Sequence, residues 1–200
     1  MDTTLNFCTR CATPLTLRVP DDDDRERHLC EACGYVHYQN PRVVVCAIPA
    51  FEDKVLLCRR AIEPQYGLWT VPGGFMENDE STLDAAIRET AEEACARITL
   101  HGLYSLYNVI HVNQVHLFFR ASLLNLDFAP GRESLEVALF AEHEVPWDRL
   151  AFTAVAGTLR QYFDDLPSGQ FPLRLADVVL DDSNGRSIRH HTDMQSGNHS

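Results

Sequence analysis

The stretch that decides the fold is GFMENDESTLDAAIRETAEEACA, residues 74–96. It holds seven carboxylates, and three of them, Glu89, Glu92 and Glu93, fall at helical spacing. Like charges three or four residues apart on a helix repel one another by roughly a few tenths of a kcal/mol per pair. Grouped oxygen ligands of this kind suit Mg²⁺ or Mn²⁺. The stretch therefore predicts a helix that presents carboxylates to a divalent cation.

The same stretch predicts where the helix lies and which face it buries. We expect a helix from Ser81 to Ala96, with Ser81 as the N-cap and Asp84 at the capping-box position. Apolar and small residues repeating along it predict the buried stripe: Leu83, Ile87, Thr90 and Ala94. The glycine pair Gly73–Gly74 just upstream would let backbone carbonyls approach the same cation.

Composition bounds the class of protein. The chain has 200 residues, of which 45% are hydrophobic, and this is enough for one core and a small appendage. Its formal charge of −12 argues against sequence-independent binding to nucleic-acid phosphates. No apolar run reaches membrane-spanning length, and the first residues lack the pattern of a secretory signal. We therefore expect a cytoplasmic protein that does not bind membranes.

Four of the seven cysteines form two C-x-x-C pairs separated by eighteen residues: Cys8, Cys11, Cys30 and Cys33. This spacing is typical of a tetrahedral Zn²⁺ site with four thiolates. Four sulfurs leave no open coordination position, so the zinc is expected to be structural. Acidic residues outnumber arginines in this segment, which disfavours contact with nucleic acid.

Three regions are expected along the chain: a zinc ribbon over 1–40, a larger domain over 41–180 and a disordered tail over 181–200. The tail is polar, and we interpret His190 and His191 as solvated residues. In the middle region, periodicity and turn residues predict two hairpins (42–50 with 54–60, and 98–110 with 113–124), a strand at 134–140 and a helix at 150–166. Residues 172–180 could be a strand or a docking segment.

Gly74, Glu80 and the run Arg88-Glu89-Thr90-Ala91-Glu92-Glu93 resemble the Nudix box, G-x5-E-x7-R-E-U-x-E-E-x-G-U, where U is bulky and aliphatic. Cys95 stands where the box has its last glycine, so we expect the helix to run on through Arg97 rather than end in a left-handed cap. The four-Cys ribbon together with GLWTVPGGFME and VPWDRLAF resembles zinc-ribbon Nudix pyrophosphatases, the NADH pyrophosphatase branch and more closely the FAD/ADP-ribose branch.

The resemblance implies an α/β/α sandwich and hydrolysis of the P–O–P bridge of a nucleoside diphosphate linked to another group. It implies that Glu89 and Glu93 are the main Mg²⁺ or Mn²⁺ ligands, with Glu92 and the carbonyl of Gly73 in support. Arg88 and Glu80 would pair and orient the helix. The general base or further ligand outside the box is expected to be Glu136, with Glu133 second and Glu142 or Glu144 behind.

Arginine and aromatic residues supply the candidate substrate contacts. Arg59 and Arg60 could bind phosphates because a guanidinium matches their geometry. The aromatic residues that could stack on a purine or flavin ring are Tyr66, Trp69, Phe75, Tyr104 and Tyr107. Glu77 could contact a ribose or a metal ion.

Markers downstream of the box bear on the substrate. The S-Q-P-W-P-F-P array of the NADH branch is missing, and so is the proline often found after the box in ADP-ribose hydrolases. The overall likeness favours FAD or ADP-ribose, giving AMP and a second monophosphate, in a protein that the resemblance predicts to be a homodimer. The alternatives are an NADH or NAD-capped RNA pyrophosphatase, and a zinc-ribbon regulator that senses a nucleotide and binds DNA.

Overall fold

The computed structural model describes residues 5–180 and 185–191. The chain forms two compact units, Met1–Pro41 and Arg42–Ser200. Within the described part of the first unit, three short strands form an antiparallel sheet: β1 (Thr16–Arg18), β2 (Arg27–Leu29) and β3 (Val36–His37). This unit has few buried apolar side chains, as a ribbon stabilised by a metal would.

The described residues of the second unit hold nine strands of one mixed sheet and two α-helices. The elements are β4 (Arg42–Phe51), β5 (Lys54–Arg60), β6 (Trp69–Thr70), β7 (Gly73–Phe75), α1 (Thr82–Ala94), β8 (Ile98–Val109), β9 (Gln114–Leu123), β10 (Ser134–Phe140), α2 (Thr153–Asp165), β11 (Arg174–Leu180) and β12 (Arg186–His190). The strand order is β10-β5-β4-β9-β8-β11-β12, with β6 paired to β5 and β7 paired to β4. β4 runs parallel to β9, and β8 runs parallel to β11.

The alternation of side chains along β4 places one helix on each face of the sheet. Val45 and Ala47 point to the side that packs against α1. Cys46 and Ile48 point to the opposite side and join the core that contains α2 residues such as Leu159. The predicted α/β/α sandwich is therefore confirmed, with a cysteine cluster in the N-terminal unit.

The tail prediction is wrong over Arg186–His190. This segment forms β12, which pairs antiparallel with β11 in a register that places Ile188 opposite Val178. Ile188 packs against Gly157 so closely that a Cβ at Gly157 would come within 2.4 Å of its Cδ1. Backbone pairing to an otherwise open sheet edge forms this strand, and its single apolar residue gives only a weak sequence signal. The rest of the predicted tail, 181–184 and 192–200, lies outside the described residues.

Candidate active site

Helix α1 begins as predicted but ends earlier. Ser81 and Asp84 form the reciprocal capping box, in which the Ser81 hydroxyl accepts from the Asp84 amide over 3.2 Å. At the other end, Cys95 adopts the left-handed conformation with φ 50°. The expectation that the helix runs on through Arg97 is therefore wrong. A cysteine occupies the left-handed cap in place of the glycine, at a cost of roughly 1 kcal/mol.

The buried face of α1 also differs from the predicted stripe. Leu83 and Ile87 are 48% and 45% exposed. The buried positions are small residues together with one acid: Ala85, Ala86, Thr90, Glu93 and Ala94. Alanines let the helix lie close to β4, and the Thr90 hydroxyl is satisfied by the Ala86 carbonyl over 2.7 Å. Close packing of small side chains therefore decided the rotation of the helix, and this rotation turns Glu93 inward.

Glu93 is the buried carboxylate of the site. It is 6% exposed, and its Oε2 accepts a hydrogen bond from the amide of Gly73 over 3.0 Å. The pKa of Glu93 is raised to about 7, mainly by burial and also by the negative charges of Glu89 and Glu133, against the lowering effects of the Gly73 hydrogen bond and Arg60. A carboxylate held in this way is stabilised by any cation that comes to share its site.

Glu89 lies against the backbone of Gly74. A Cβ at Gly74 would meet the Glu89 carboxylate at 2.5–2.6 Å, so a side chain there would displace the carboxylate from its present position. Burial raises the pKa of Glu89, although Arg88 donates to its Oε1 over 2.7 Å. Gly73 and Gly74 therefore have separate roles in the site. The first donates to Glu93, and the second makes room for Glu89.

Arg88 organises the acidic side of the helix. Its guanidinium forms a two-point ion pair with Glu80 over 3.0 and 2.7 Å, as predicted, and also donates to the Phe75 carbonyl over 3.2 Å. It reaches Glu92 over 3.2 Å, but the Glu92 side chain is 60% exposed. The Arg88 interaction lowers the pKa of Glu80 to about 2. Glu92 is thus the outermost of the three box glutamates, whereas Glu89 and Glu93 line the interior.

A loop that the sequence did not single out closes the end of α1. The amides of Ala129 and Gly131 donate to the carbonyls of Ala94 and Glu93 over 2.9 and 3.0 Å. A Cβ at Gly131 would come within 1.7 Å of the Glu92 carbonyl oxygen, so the loop passes where only glycine fits. These contacts satisfy helix carbonyls that would otherwise lack donors. They also bring Glu133, further along the loop, into electrostatic contact with Glu89 and Glu93.

Of the other acids considered for the base, Glu136 and Glu144 have partners of their own. Glu136 Oε2 lies 3.2 Å from Nε of Arg59, an ion pair without hydrogen-bond geometry, because Arg59 Nε has no hydrogen-bond partner. Glu144 accepts from the Ala141 amide over 2.9 Å and from Lys54 over 3.4 Å. Glu142 lies on the surface. Glu133 differs from these acids because its charge raises the pKa values of the box glutamates Glu89 and Glu93.

The candidate substrate contacts separate into core and surface residues. Trp69 is 6% exposed and packs edge-to-face on Phe140, and Tyr104 and Tyr107 are each 1% exposed, so the idea that these three stack on substrate is wrong. They fill the core between the sheet and α2. Phe75 and Tyr66 are exposed at 45% and 57%.

The charged candidates differ in burial. Arg60 is buried and donates to the Pro64 carbonyl over 2.9 Å, and its charge lowers the pKa of Glu93. Arg59 is half-buried. Glu77 is exposed, and its amide donates to Glu80 Oε1 over 2.7 Å. Its backbone therefore helps to fix the Arg88 pair, whereas its side chain faces solvent.

The four predicted zinc ligands come together in the first unit. The Sγ atoms of Cys8, Cys11, Cys30 and Cys33 all lie within 4.8 Å of one another, and no disulfide joins them. The Cys11–Cys30 and Cys8–Cys33 sulfur distances are 3.3 and 3.7 Å. Tetrahedral Zn²⁺ with Zn–S bonds of about 2.3 Å separates its sulfurs by about 3.8 Å, so the cluster fits zinc.

Comparison with known proteins follows the division of the chain. The family model described as Nudix N-terminal matches residues 6–39, and the model described as NUDIX domain matches residues 40–163. The chain belongs to the Nudix family. A Nudix hydrolase of Nitrosomonas europaea, solved as a crystal structure, is 47% identical and superposes with a TM-score of 0.83 over 86% of this chain and 99% of that one.

Curated relatives carry enzyme names. The chain is 28% identical over 141 residues to the NAD-capped RNA hydrolase NudC of Photobacterium profundum, matching 70% of this chain and 50% of that protein. It is 28% identical over 124 residues to an ADP-ribose pyrophosphatase of Methanocaldococcus jannaschii, matching 59% of this chain and 71% of that protein. The chain thus spans about half the length of the NudC relative. Among residues 5–180 and 185–191, no helix is long and apolar enough to cross a membrane.

Proposed function

We propose that this Nudix hydrolase cleaves the diphosphate bridge of FAD or ADP-ribose, giving AMP and a second monophosphate, with Mg²⁺ or Mn²⁺ held by Glu89, Glu93, Glu92 and the Gly73 carbonyl. The observation that carries the proposal is the inward pair Glu89 and Glu93, whose pKa values are raised by burial. Buried carboxylates are unfavourable without a cation, and this pair fits a divalent ion. When bound, such a cation neutralises phosphate charge and acidifies water.

The residues of the chain prepare the site for that ion. Arg88 fixes Glu89 from one side while its two-point pair to Glu80 fixes Arg88 itself. The Gly73 amide holds one oxygen of Glu93. Glu93, with a pKa of about 7, must lose its proton to act as a ligand, so cation binding at neutral pH is coupled to proton release.

The acid outside the box is proposed to be Glu133, which acts as general base or as a further ligand. Its charge raises the pKa of both Glu89 and Glu93, and the loop that carries it is bonded to the end of α1. Glu136 remains the competing candidate. Its pairing with Arg59 would neutralise the Glu136 carboxylate until a substrate phosphate bound Arg59 and freed that carboxylate.

Two arginines are proposed to bind the diphosphate. Arg60 already acts electrostatically on Glu93, so a phosphate held by it lies near the proposed cation. Arg59 Nε is buried without a hydrogen-bond partner. Glu136 Oε2 lies 3.2 Å from this atom without hydrogen-bond geometry, and a phosphate oxygen would supply an aligned acceptor.

The named relatives support nucleotide-linked substrates but favour two different ones. NudC acts on NAD-capped RNA by its name, and the archaeal relative acts on ADP-ribose. FAD is supported by the overall likeness described above. NADH or NAD-capped RNA is the second candidate. The regulator alternative is disfavoured because every charged position of the box is intact.

One panel of substrates tests this function. Purified protein with Mg²⁺ or Mn²⁺ is offered FAD, ADP-ribose, NADH, NAD and NAD-capped RNA. Release of AMP is measured for the four small molecules, and release of nicotinamide mononucleotide is measured for the capped RNA, whose AMP unit stays in the RNA chain. We expect FAD or ADP-ribose to give the highest kcat/KM. A preference for NADH or capped RNA would show that the proposed substrate is wrong and that the proposed reaction class is right. No hydrolysis of any of them, combined with specific DNA binding, would favour the regulator.

A further inference from the structure

A row of side chains crosses the sheet on the face opposite to α1. Val44 on β4 pairs with Phe75 on β7 at one side and with His116 on β9 at the other. Residues paired across a sheet point to the same face, so Phe75, Val44 and His116 lie in one row. Val44 packs against the core on the α2 side, as does Phe118, two residues after His116. The row therefore borders the α2 side of the sheet.

The row has a half-buried floor and two unlike walls. Val44 and His116 are half-buried, and Phe75 is 45% exposed. Phe75 and His116 are two strand spacings apart, about 9.5 Å between their backbones. A planar ring lying over Val44 in this gap contacts Phe75 on one side and presents an edge to His116 on the other. This space above Val44, between Phe75 and His116, is the slot, and its width and lining suit an aromatic base.

The Phe75 wall is in contact with a cation. The Arg42 guanidinium lies 4.5 Å from the centre of the Phe75 ring. The face of an aromatic ring attracts a cation, and this contact restricts the orientation of the ring. Phe75 follows Gly74 in β7, and Glu89 approaches Gly74 from the α1 face, so the wall and the proposed cation site share one strand on opposite faces of the sheet.

The His116 wall offers one hydrogen-bond acceptor. Nε2 of His116 lies 2.8 Å from Oε1 of Gln114, which can only accept, so Nε2 carries the proton. Nδ1 is then left as an acceptor, and no described residue donates a hydrogen bond to it. Burial lowers the pKa of His116 to about 4, so the ring is neutral at physiological pH and Nδ1 keeps its lone pair.

We propose that His116, oriented by Gln114, determines base specificity by accepting a hydrogen bond from the exocyclic amino group of adenine over Val44. This inference rests on the proposed function, because FAD and ADP-ribose share the AMP half. Adenine offers an amino donor at the position where hypoxanthine and guanine carry a carbonyl oxygen. A carbonyl there would face the lone pair of Nδ1, so a neutral histidine in this tautomer rejects those bases.

Direct binding of two nucleotides tests the inference without requiring turnover. The full chain is titrated with AMP and with IMP, which differ in this amino group, and affinities are measured by calorimetry. We expect wild type to bind AMP at least about tenfold more tightly than IMP, as a satisfied hydrogen bond in place of a repulsive contact would give. We expect His116→Phe to bring the ratio close to one and His116→Gln, which retains an acceptor, to restore part of it.

The matched control is His101→Phe. His101 also lies in the β8–β9 hairpin and bonds Ser122 over 2.7 Å, but it is exposed at the far end of the hairpin. This variant should keep the wild-type ratio, and circular dichroism should show all variants folded. Equal affinity of wild type for AMP and IMP, or an unchanged ratio in His116→Phe, would overturn the inference. Selective AMP binding by a protein that hydrolyses neither FAD nor ADP-ribose would contradict the proposed function and leave this inference standing.

Discussion

The amide of Gly73 donates a hydrogen bond to Oε2 of Glu93 over 3.0 Å, across 20 residues of sequence. This bond joins the glycine pair before the box to the inner end of α1. It holds a carboxylate whose pKa is raised to about 7 by burial, the least favourable location for a negative charge among the box glutamates. The relationship is explained if a cation completes the site.

Glu93→Gln should abolish turnover while preserving the fold. The amide has the same shape and still accepts from Gly73, but it removes a ligand charge, so we expect kcat to fall by at least about 10³. Because the buried charge is also removed, the midpoint of thermal unfolding in metal-free buffer should stay the same or rise. The control is Glu52→Gln on an exposed turn, which should behave as wild type. An unfolded Glu93→Gln protein, or one with more than a tenth of wild-type kcat, would count against this role.

The two glycines before the helix should respond differently to alanine. Gly74→Ala places a Cβ against the flexible end of Glu89, so we expect weaker Mn²⁺ binding and lower kcat with a small change in stability. Gly73→Ala places it against Cys46 Sγ and the Val45 carbonyl, at 2.6 Å each, so the fold itself should lose several kcal/mol. Urea unfolding and Mn²⁺ titration of both variants check this. Equal destabilisation by the two substitutions would contradict the assignment.

Stability should depend on pH through His116. Its pKa is about 4 in the folded protein and about 6.5 when unfolded, so between these values the unfolded state binds more protons. Stability is therefore fully present above pH 6.5 and is lost as the pH falls towards 4, by at most about 3 kcal/mol. The measurement compares unfolding free energies of wild type and His116→Phe at several pH values. The difference between them should change across this window, and a difference that is constant with pH would refute the burial of a neutral ring.

Zinc removal should affect the first unit before the second. The described residues of that unit pack few large apolar side chains, so its folding depends on the four thiolates. With a chelator, amide hydrogen exchange should accelerate over residues 5–41 while the core strands stay protected. The matched comparison is Cys11→Ser against Cys58→Ser, since Cys58 belongs to the second unit and is not one of the four clustered cysteines. Protection of residues 5–41 that survives complete zinc loss would contradict a structural role for the metal.

The sequence predicted much of the fold because its signals were local. Ser81 and Asp84 cap the helix as their types dictate, and the turn at residues 51–54 closes the predicted hairpin. The rotation of α1 was missed because it depends on how closely the helix approaches β4. There, alanines fit better than Leu83 and Ile87, which remain exposed. Periodicity alone cannot rank small residues above large ones.

The part of the site that could be predicted is also the part whose contacts are local in sequence. Box spacing identified the Arg88–Glu80 pair, which forms within one short segment. Contacts between distant segments were not predictable, and the bond from Gly131 to Glu93 is the main example. A lone glycine in a loop gives no sign that it passes over a helix end. Trp69 was misassigned because its residue type alone suggested stacking on a substrate ring, whereas its packing on Phe140 places it in the core.

The most direct test of the central claim is a crystal of the protein soaked in Mn²⁺, with anomalous scattering recorded from the manganese. The account predicts a peak with oxygens of Glu93 and Glu89 at about 2.0–2.3 Å. It would be contradicted by a crystal soaked at saturating Mn²⁺ that shows no peak at this site. In such a crystal, Glu89 would still bond Arg88, and Glu93 would still accept only from the Gly73 amide.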